Sequence, residues 1–250
     1  MSDGPYSSLI RAALEDQRAL PAKFLPQGFP ENPRFIGGAD AAFAPGPAGE
    51  RAGAVGSFGL AVAVVWDVQA KTLAEACFAA TPVTFPYVPG LLSYREHPLL
   101  AAAIAQLQTP VDVWMFDAHG QSHPRRAGLA THMGVALDRP AIGAAKSILI
   151  GELGPALPAP LPGIPAAPIL HEGREIARTL WLAGAGHDPI YISQGHRCTF
   201  EQAVTLALAC NIGKPLPAPT WYADRLSHRA KKITPEAARK LIESFPKTPN

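Results

Sequence analysis

The chain has 250 residues, of which 48% are hydrophobic and 17% are charged, enough to build the core of one sizeable α/β domain. Its formal net charge of +2 does not by itself indicate a nucleic-acid binder. The longest apolar run, Leu60 to Trp66, is far shorter than the roughly 18 to 20 residues of a membrane helix, which excludes a bundle of membrane helices.

Cysteine usage and the N-terminal segment bear on the compartment. Cys77, Cys198 and Cys210 are widely spaced and odd in number, which argues against a disulfide framework or a zinc cluster and fits a reducing compartment. Met1 to Ser8 lacks a basic stretch followed by an apolar one, so we expect no signal peptide. We therefore expect a cytoplasmic protein without membrane contact, acting as a monomer.

The first third of the chain predicts one helix and three strands. Ser8 to Leu20 is an amphipathic helix, and Phe24 to Pro33 is a proline-punctuated loop. Phe35 to Phe43 predicts a strand. Leu60 to Val68 and Leu73 to Ala80 predict two more strands joined by a short turn, a pattern typical of an antiparallel hairpin.

Helices and strands alternate in the middle of the chain. Pro98 opens a helix through Leu107, because proline is tolerated in a first turn. Val111 to Phe116 predicts a buried strand with Asp117 at its end. Arg126 to Leu137 predicts a second helix, and Ala141 to Gly143 a further short strand.

The remaining elements complete an α/β pattern. Gly154 to Pro168 is rich in proline and glycine and predicts a surface excursion, since strands resume at Ile176 to Leu182 and Ile190 to Ser193. Helices are predicted at Phe200 to Cys210 and Pro235 to Ser244. A strand meander followed by alternating strands and helices predicts one domain with a mixed sheet and helices packed against it.

Basic residues are concentrated near the C-terminus. They outnumber the acidic ones after Trp221 and comprise Arg225, Arg229, Lys231, Lys232, Arg239, Lys240 and Lys247. A basic tail over residues 225–250 could contact phosphates. A solvated charged helix explains it equally well.

Three acidic residues occupy positions where a charge is costly. Asp40 interrupts the small apolar segment Gly37 to Phe43, Asp117 ends an apolar run, and Glu96 follows a turn at Tyr87 to Gly90. An ionised carboxylate near a buried strand needs a partner, and no lysine or arginine lies within four residues of Asp40. A divalent metal such as Mg²⁺ would satisfy all three. Taken alone, Asp40 or Asp117 is better explained as a hydrogen-bonded turn or cap residue.

The segment from Asp117 to Lys146 is the densest in polar residues. It holds three histidines and an arginine pair: His119, His123, His132, Arg125 and Arg126. Arginines at a predicted helix start can bind phosphate. The histidine offsets of four and nine residues match no common zinc pattern. His132 falls in the middle of the predicted helix, where a packed structural role is favoured.

Long motifs in this region resemble the endonuclease V family. The matching segments, in the family's order, are Pro86 to Glu96, Asp117 to Gly134, Pro140 to Lys146, Gly195 to Arg197, Leu216 to Thr220 and Ala223 to Asp224. The resemblance covers a core of about residues 35–224 within the single domain expected for 1–250. It implies a ribonuclease H-like fold, an α/β arrangement of a mixed five-stranded sheet flanked by helices.

The resemblance also implies an activity and its catalytic residues. Family members nick a strand at the second phosphodiester bond 3′ to inosine, leaving 5′-phosphate ends, in DNA repair. By position, Asp40 and Asp117 would bind Mg²⁺, with Mn²⁺ as a substitute, and Glu96 would complete the metal site and act in catalysis. Lys146 and His123 would lie close to the scissile phosphate.

Base recognition is implied by the same resemblance. The turn formed by Pro86, Tyr87, Val88 and Pro89 resembles the family's wedge, which fills the gap left in a duplex when a base is flipped out. The positions that would shape the pocket or contact the nucleic acid are Gly90, Ala118, Gly120, Arg125, Gly128 and Gly143. A tight backbone-lined pocket can reject guanine, which carries a 2-amino group that hypoxanthine lacks. Each glycine alone is also explained by turn formation.

Three residues depart from the family pattern. Ala118 replaces a usual glycine in the pocket wall, Ala218 a usual glutamate and Trp221 a usual arginine. These departures put substrate binding and selectivity in doubt and leave the metal site unaffected.

Two other functions fit part of the pattern. A ribonuclease H-like nuclease selective for branched or mispaired DNA predicts the acidic residues without the wedge and the pocket. A binding module without activity predicts the loss of Asp40, Glu96 or Asp117, and all three are present. An inosine-specific endonuclease is therefore favoured, with DNA or RNA as substrate left open because no residue identifies a 2′-hydroxyl reader.

Overall fold

The computed structural model describes residues 4–45, 49, 51–232, 235–245 and 248. Residues 1–3, part of the segment expected to lack a signal sequence, and Lys247 of the basic tail lie outside them. The helices are α1 (Ser7–Lys23), α2 (Leu92–Ile104), α3 (Leu129–Leu137), α4 (Phe200–Ala209), α5 (Ala218–Ala230) and α6 (Pro235–Ser244). The strands are β1 (Phe35–Ala44), β2 (Phe58–Asp67), β3 (Thr72–Pro82), β4 (Val113–Phe116), β5 (Ala141–Ala145), β6 (Glu152–Leu153), β7 (Leu157–Leu161), β8 (Ile164–His171), β9 (Arg174–Leu180) and β10 (Ile190–His196).

The strands form one mixed sheet with the order β3-β2-β1-β4-β5-β10-β9-β8-β6, and β7 pairs with β8. β1, β2 and β3 are an antiparallel meander, as predicted, whereas β4 lies parallel to both β1 and β5. The expected ribonuclease H-like α/β fold is confirmed. Within the part of the chain that the structure describes, the sheet has ten strands and not five, because β6 to β10 continue it beyond β5.

Helices cover both faces of the sheet. β2 is buried along almost its whole length, and its side chains alternate between two cores. Val62, Val64 and Trp66 pack with residues of α4 and α5, whereas Ala61 and Ala63 pack with residues of α2 and α3. The continuous apolar run that predicted this strand is therefore that of a strand covered on both sides.

The prediction of a surface excursion at Gly154 to Pro168 is wrong, because β7 and the first half of β8 lie there. Proline lacks the N–H donor of a central ladder and is confined to edge positions of a sheet. β7 pairs only with β8 among the described strands, and most of its residues are exposed. An edge strand of this kind tolerates the prolines that made the segment look irregular.

Two helices begin elsewhere than predicted. α2 starts at Leu92 and contains Pro98 in its interior, so Glu96 lies on the helix and not in the segment before it. α3 starts at Leu129 because Arg126 has a left-handed φ of 53°, which a right-handed helix cannot include. Arg125 and Arg126 are therefore part of the preceding loop, and no helix N-terminus assists them.

Helix α5 has no counterpart among the predicted elements. Pro217 precedes it and Pro219 lies in its first turn, a position at which proline is tolerated. Its packing against β1 depends on Gly38, where an added Cβ would collide with the backbone carbonyl of Pro219. The small residue thus lets α5 approach the strand that carries Asp40.

Among the described residues, no helix combines the length and the apolar character that crossing a bilayer requires.

Candidate functional site

Carboxylates from two adjacent parallel strands meet where the pairing of these strands ends. Ala39 of β1 pairs with Phe116 of β4, so Asp40 and Asp117, the residues that come next in the sequence after each of them, are neighbours. Glu96 of α2 interacts electrostatically with both aspartates. The structure therefore brings together the three acidic residues that the sequence singles out, although they come from three separate elements.

Helix α5 adds three further side chains to this site. One ligand atom from each of Asp40, Asp224 and His228 lies within 4.8 Å of the others. The hydroxyl of Ser227 donates a hydrogen bond to Asp40 Oδ2. We call Asp40, Glu96, Asp117 and Asp224 the acidic centre.

Sequence reasoning assigned no role to Asp224, Ser227 or His228. Asp224 lies within a matched motif, and His228 follows it by four residues. This spacing places both side chains on one face only if the segment is a helix, and the sequence did not predict α5. The helix was not predicted because Pro217 and Pro219 of the motif usually indicate a loop.

The acidic centre raises the affinity of its own carboxylates for protons. Burial, followed by repulsion from Asp40 and Asp117, raises the pKa of Glu96 to about 8. Burial raises the pKa of Asp117 to about 7, although Lys146 opposes the shift. Burial also raises the pKa of Asp40 against the hydrogen bond from Ser227. Buried carboxylates that repel one another in this way fit a divalent cation, which would neutralise the excess negative charge.

Lys146 connects the acidic centre to the neighbouring pocket. It follows β5, and its Nζ lies 2.5 Å from Asp117 Oδ2 and 2.5 Å from Asp224 Oδ1. Partial burial lowers the pKa of Lys146, but the two ion pairs outweigh it and hold that pKa above its usual value. The ammonium group is therefore charged at any physiological pH.

A pocket of about 470 Å³ lies directly beside the acidic centre. Its wall contains the following residues that the sequence assigns to the site: Tyr87, Val88, Pro89, Gly90, Asp117, Ala118, His123, Gly128 and Lys146. Gln17 of α1 and Leu149, neither of which sequence reasoning selected, also line it. The acidic centre and the pocket share Asp117 and Lys146, so a ligand held in the pocket would place its flanking groups at the carboxylates.

Gly120 and Gly143 lie behind the pocket wall and not in it. A Cβ on Gly143 would lie 2.5 Å from the carbonyl of Ala118 and 2.7 Å from the Gly120 nitrogen. A Cβ on Gly120 would collide with the carbonyl of Gln194. These glycines let β5, β10 and the loop after β4 pack closely, and they set the position of Ala118.

The turn from Pro86 to Gly90 forms one rim of the pocket. Tyr87 is 67% exposed, and its ring lies 5.7 Å from the guanidinium carbon of the buried Arg95. Gly90 has a φ of 79°, a conformation that favours glycine. Arg125 donates from Nη2 to the carbonyl of Gly90 at 3.0 Å. Pro86 and Arg125 therefore support the rim without lining the pocket.

Of the histidines of the dense segment, His123 and His132 are buried and His119 is half-buried, and burial keeps all three neutral by lowering their pKa values to about 4. A smaller effect of Arg125 also lowers the pKa of His123. His123 Nδ1 accepts from the backbone N–H of Arg125 at 3.2 Å, and the ring also bonds to the carbonyl of Gly90. His123 lines the same pocket as Asp117 and Lys146, and a direct phosphate contact would require release of one of these bonds. His132 packs against the rings of Tyr94 and His97, consistent with a structural role.

A mixed sheet of ribonuclease H-like fold, with an acidic centre at the ends of its parallel strands and a lysine beside it, defines a nuclease. The Endonuclease V family model matches residues 22–225 of the chain. The chain belongs to the endonuclease V family.

Relatives of this family resemble the chain along most of its length. Endonuclease V of Roseiflexus castenholzii is 39% identical over 186 residues, which is 74% of this chain and 81% of that protein. The crystal structure of Endonuclease V from Streptomyces avermitilis has a TM-score of 0.77 at 33% identity and covers 89% of this chain and 92% of its own. The Endonuclease V of Ciona intestinalis, in complex with a 24mer DNA containing an inosine followed by a ribo-adenosine, has a TM-score of 0.71 at 22% identity and covers 90% and 98% of the two chains. At that identity the Ciona structure supports the fold alone.

Proposed function

We propose that the protein is a Mg²⁺-dependent endonuclease that flips inosine into the pocket and nicks the second phosphodiester bond 3′ to it. The observation that carries the proposal is the shared wall of the pocket and the acidic centre, formed by Asp117 and Lys146. A base held in the pocket would direct its own strand across the carboxylates. The phosphodiester bond that is cleaved would then lie a short distance along the strand from the recognised base, and not directly next to it.

Asp40, Glu96, Asp117 and Asp224, with His228 beside them, are the residues that would hold the cation. When bound, a divalent cation polarises a phosphoryl oxygen and lowers the pKa of a water molecule to generate a nucleophile. Mg²⁺ prefers carboxylate and water oxygens, with Mn²⁺ as the substitute. The charged Lys146 would offset negative charge that develops on the scissile phosphate.

Base selectivity would depend on the backbone-lined wall at Gly90, Ala118 and Gly128. The turn at Pro86 to Pro89 projects Tyr87 at the rim, where an exposed aromatic ring can replace the flipped base in the stack. His123 would hold the rim through Gly90 and so fix the shape of the pocket.

The test uses duplex oligonucleotides with one inosine, an unmodified control and a branched or mispaired control without inosine, each with and without Mg²⁺. We expect one nick, 3′ to the inosine, only when Mg²⁺ is present, and 5′-phosphate ends. Asp40→Ala and Asp117→Ala should abolish it while remaining folded. Retention of a tenth of the activity by either variant, or equal cleavage of the branched control, would contradict the proposal.

A second candidate is an endoribonuclease acting on inosine in RNA. It is a candidate because no described residue that lines the pocket is assigned to reading a 2′-hydroxyl group, so the chemistry of the pocket does not select deoxyribose. Deoxyinosine DNA and inosine RNA of the same sequence, compared at equal Mg²⁺, distinguish the two. Faster cleavage of the RNA would make the ribonuclease the principal activity.

A further inference from the structure

Gln17 of α1 is buried, with 1% of its surface exposed, and its side chain bonds to two sides of the pocket. Its Nε2 donates to the carbonyl of Gly90 at 2.8 Å and to the carbonyl of Ala127 at 3.0 Å. Its Oε1 accepts from Nε of Arg125 at 2.5 Å. All hydrogen-bonding groups of this amide are thus directed at residues that form or support the pocket.

The two carbonyls bound by Gln17 belong to two different segments that line the pocket. Gly90 ends the rim turn that begins at Pro86, and its carbonyl also accepts from Arg125 Nη2 at 3.0 Å. Ala127 directly precedes Gly128, whose N–H donates to the carbonyl of Gly120 at 3.1 Å. One side chain therefore joins the rim turn to the segment formed by Ala127 and Gly128.

Helix α1 also packs against the rim turn through apolar residues. Ala13 lies in one cluster with Phe85 and Leu91, and Val88 packs against the same cluster. Gln17 and Ala13 both precede residue 22, where the match to the family model begins. The part of the helix that supports the rim therefore precedes the matched segment, which includes only the last two residues of α1.

We propose that Gln17 is a positioning residue for base recognition, which fixes the position of the rim turn relative to the segment formed by Ala127 and Gly128 and thereby the selectivity for inosine over guanine. The inference rests on the proposed function. Rejection of one additional amino group requires a wall that does not move, because a small displacement would create the space that guanine needs. Loss of the Gln17 amide would leave the buried carbonyl of Ala127 without this donor and Nε of Arg125 without this acceptor, and it would remove the bonds that join the rim turn to the segment formed by Ala127 and Gly128.

Gln17→Met is the direct test, because methionine has a similar volume and removes both donors and the acceptor. We expect the ratio of nicking rates on inosine and guanine substrates to fall about tenfold, equivalent to ~1.4 kcal/mol. The KM for the inosine substrate should rise, whereas kcat should stay within about twofold because the acidic centre is untouched. If the substitution instead reduced activity by disturbing the metal site, kcat would fall and the ratio of nicking rates on inosine and guanine substrates would stay unchanged.

Tyr94→Phe is the matched control for docking of the helix. Tyr94 Oη donates to Asp16 at 2.7 Å and ties α1 to α2 without lining the pocket. This variant should lower the thermal midpoint and keep the wild-type ratio. A ratio lowered equally by Tyr94→Phe and Gln17→Met would overturn the inference, as would a wild-type ratio in Gln17→Met.

Gln17→Glu serves if the methionine variant does not fold at the assay temperature. It keeps an acceptor for Arg125 and replaces the donor facing Gly90 and Ala127 with a second carboxylate oxygen. It should therefore also lower the ratio, and an unchanged ratio would refute the role of the donor. A wild-type protein that does not prefer inosine would refute the proposed function itself, which the same assay measures separately.

Discussion

Ala118 places a methyl group in the pocket wall, where the family resemblance leads one to expect glycine. Its side chain is buried beside the pocket, and its backbone is held by a hydrogen bond from its N–H to the carbonyl of Phe116 at 2.8 Å. Gly143 packs so closely against the Ala118 carbonyl that the backbone cannot retreat in that direction. The methyl group is therefore part of the pocket surface, which under the proposed function a flipped base would contact.

Ala118→Gly should keep Mg²⁺-dependent nicking and reduce the preference for inosine over guanine. The loosened wall gains the volume of a methyl group, and one methylene in such a pocket changes discrimination by about tenfold or more. The measurement is the ratio of nicking rates on inosine and guanine duplexes for both proteins. An unchanged or raised ratio would show that Ala118 does not shape the discriminating wall.

Tyr87→Ala should weaken binding to duplex substrates more than to single strands. The ring is exposed at the rim and would fill the gap left by a flipped base, whereas a single strand has little stacking to restore. Base–aromatic stacking is worth roughly 1 to 3 kcal/mol, so we expect duplex affinity to fall about tenfold. Binding titrations with a duplex and a single strand of one sequence measure it, and equal losses on both would assign Tyr87 to the turn alone.

At the scale of elements, the strands of the meander and helix α4 could be predicted because their signals are local. Alternation or a continuous apolar run defined the strands, and Thr199 with Gln202 forms the capping box that starts α4. Helix α5 and strand β7 could not be predicted, since their prolines are tolerated only by a first turn or a sheet edge. Those positions are defined by tertiary neighbours that no local pattern contains.

The same distinction explains which site residues could be predicted. A charged carboxylate is costly at Asp40, within an apolar strand, and at Asp117, directly after one. Both positions can therefore be recognised from the local sequence alone. Asp224 is ordinary on an exposed helix face, and only the packing of α5 on β1 brings it to Asp40. Gln17 likewise looks like any polar residue of an amphipathic helix, until the loops that it bonds are seen together.

Gly38→Ala tests whether the approach of α5 to β1 assembles the acidic centre. The added methyl would collide with the backbone of Pro219 and displace α5 together with Asp224. Overpacking of this kind costs about 1 to 3 kcal/mol, and we expect nicking to fall by more than about tenfold at a temperature where the variant is folded.

Gly37→Ala is its matched control on the same strand. A Cβ there meets the ring of Trp114 at 2.5 Å, on the opposite face of the sheet from α5. This variant should lose stability and keep the turnover of the wild type when folded. Equal loss of turnover in both variants would mean that stability alone, and not the position of α5, governs the activity.

At the scale of the whole molecule, the acidic centre opposes folding unless a cation is bound. Glu96 has a pKa of about 8 in the folded chain, well above the usual carboxyl value near 4.5. The folded state therefore retains a proton that the unfolded state releases between these two pH values. The contribution of Glu96 to stability must therefore fall as pH rises through that window and level off above about pH 8.

We also propose that the chain is a single domain, because one sheet continues from β3 to β6 and the helices pack on its two faces. A pH-dependent loss of stability at the acidic centre should then shift the unfolding transition of the whole molecule. Far-UV circular dichroism and tryptophan fluorescence should report one coincident transition, whereas two separate transitions would indicate independent units.

Glu96→Gln should remove most of this pH dependence, because the amide has a similar shape and cannot ionise. At pH 5 the wild-type and variant proteins should have similar thermal midpoints without metal, since Glu96 is protonated in the folded chain. At pH 8.5 the variant should be more stable by roughly 2 to 5 kcal/mol, since each unit of pKa shift is worth about 1.4 kcal/mol and partial solvation reduces the total. Mg²⁺ should stabilise the wild-type protein more at pH 8.5 than at pH 5, and more than it stabilises the variant, because the cation replaces the proton that holds Glu96 neutral. Thermal unfolding at both pH values, with and without Mg²⁺, measures all of these differences. A difference between the variant and wild-type midpoints that does not grow from pH 5 to pH 8.5 in the absence of metal would show that burial and the neighbouring aspartates do not raise the pKa of Glu96 as this structure indicates.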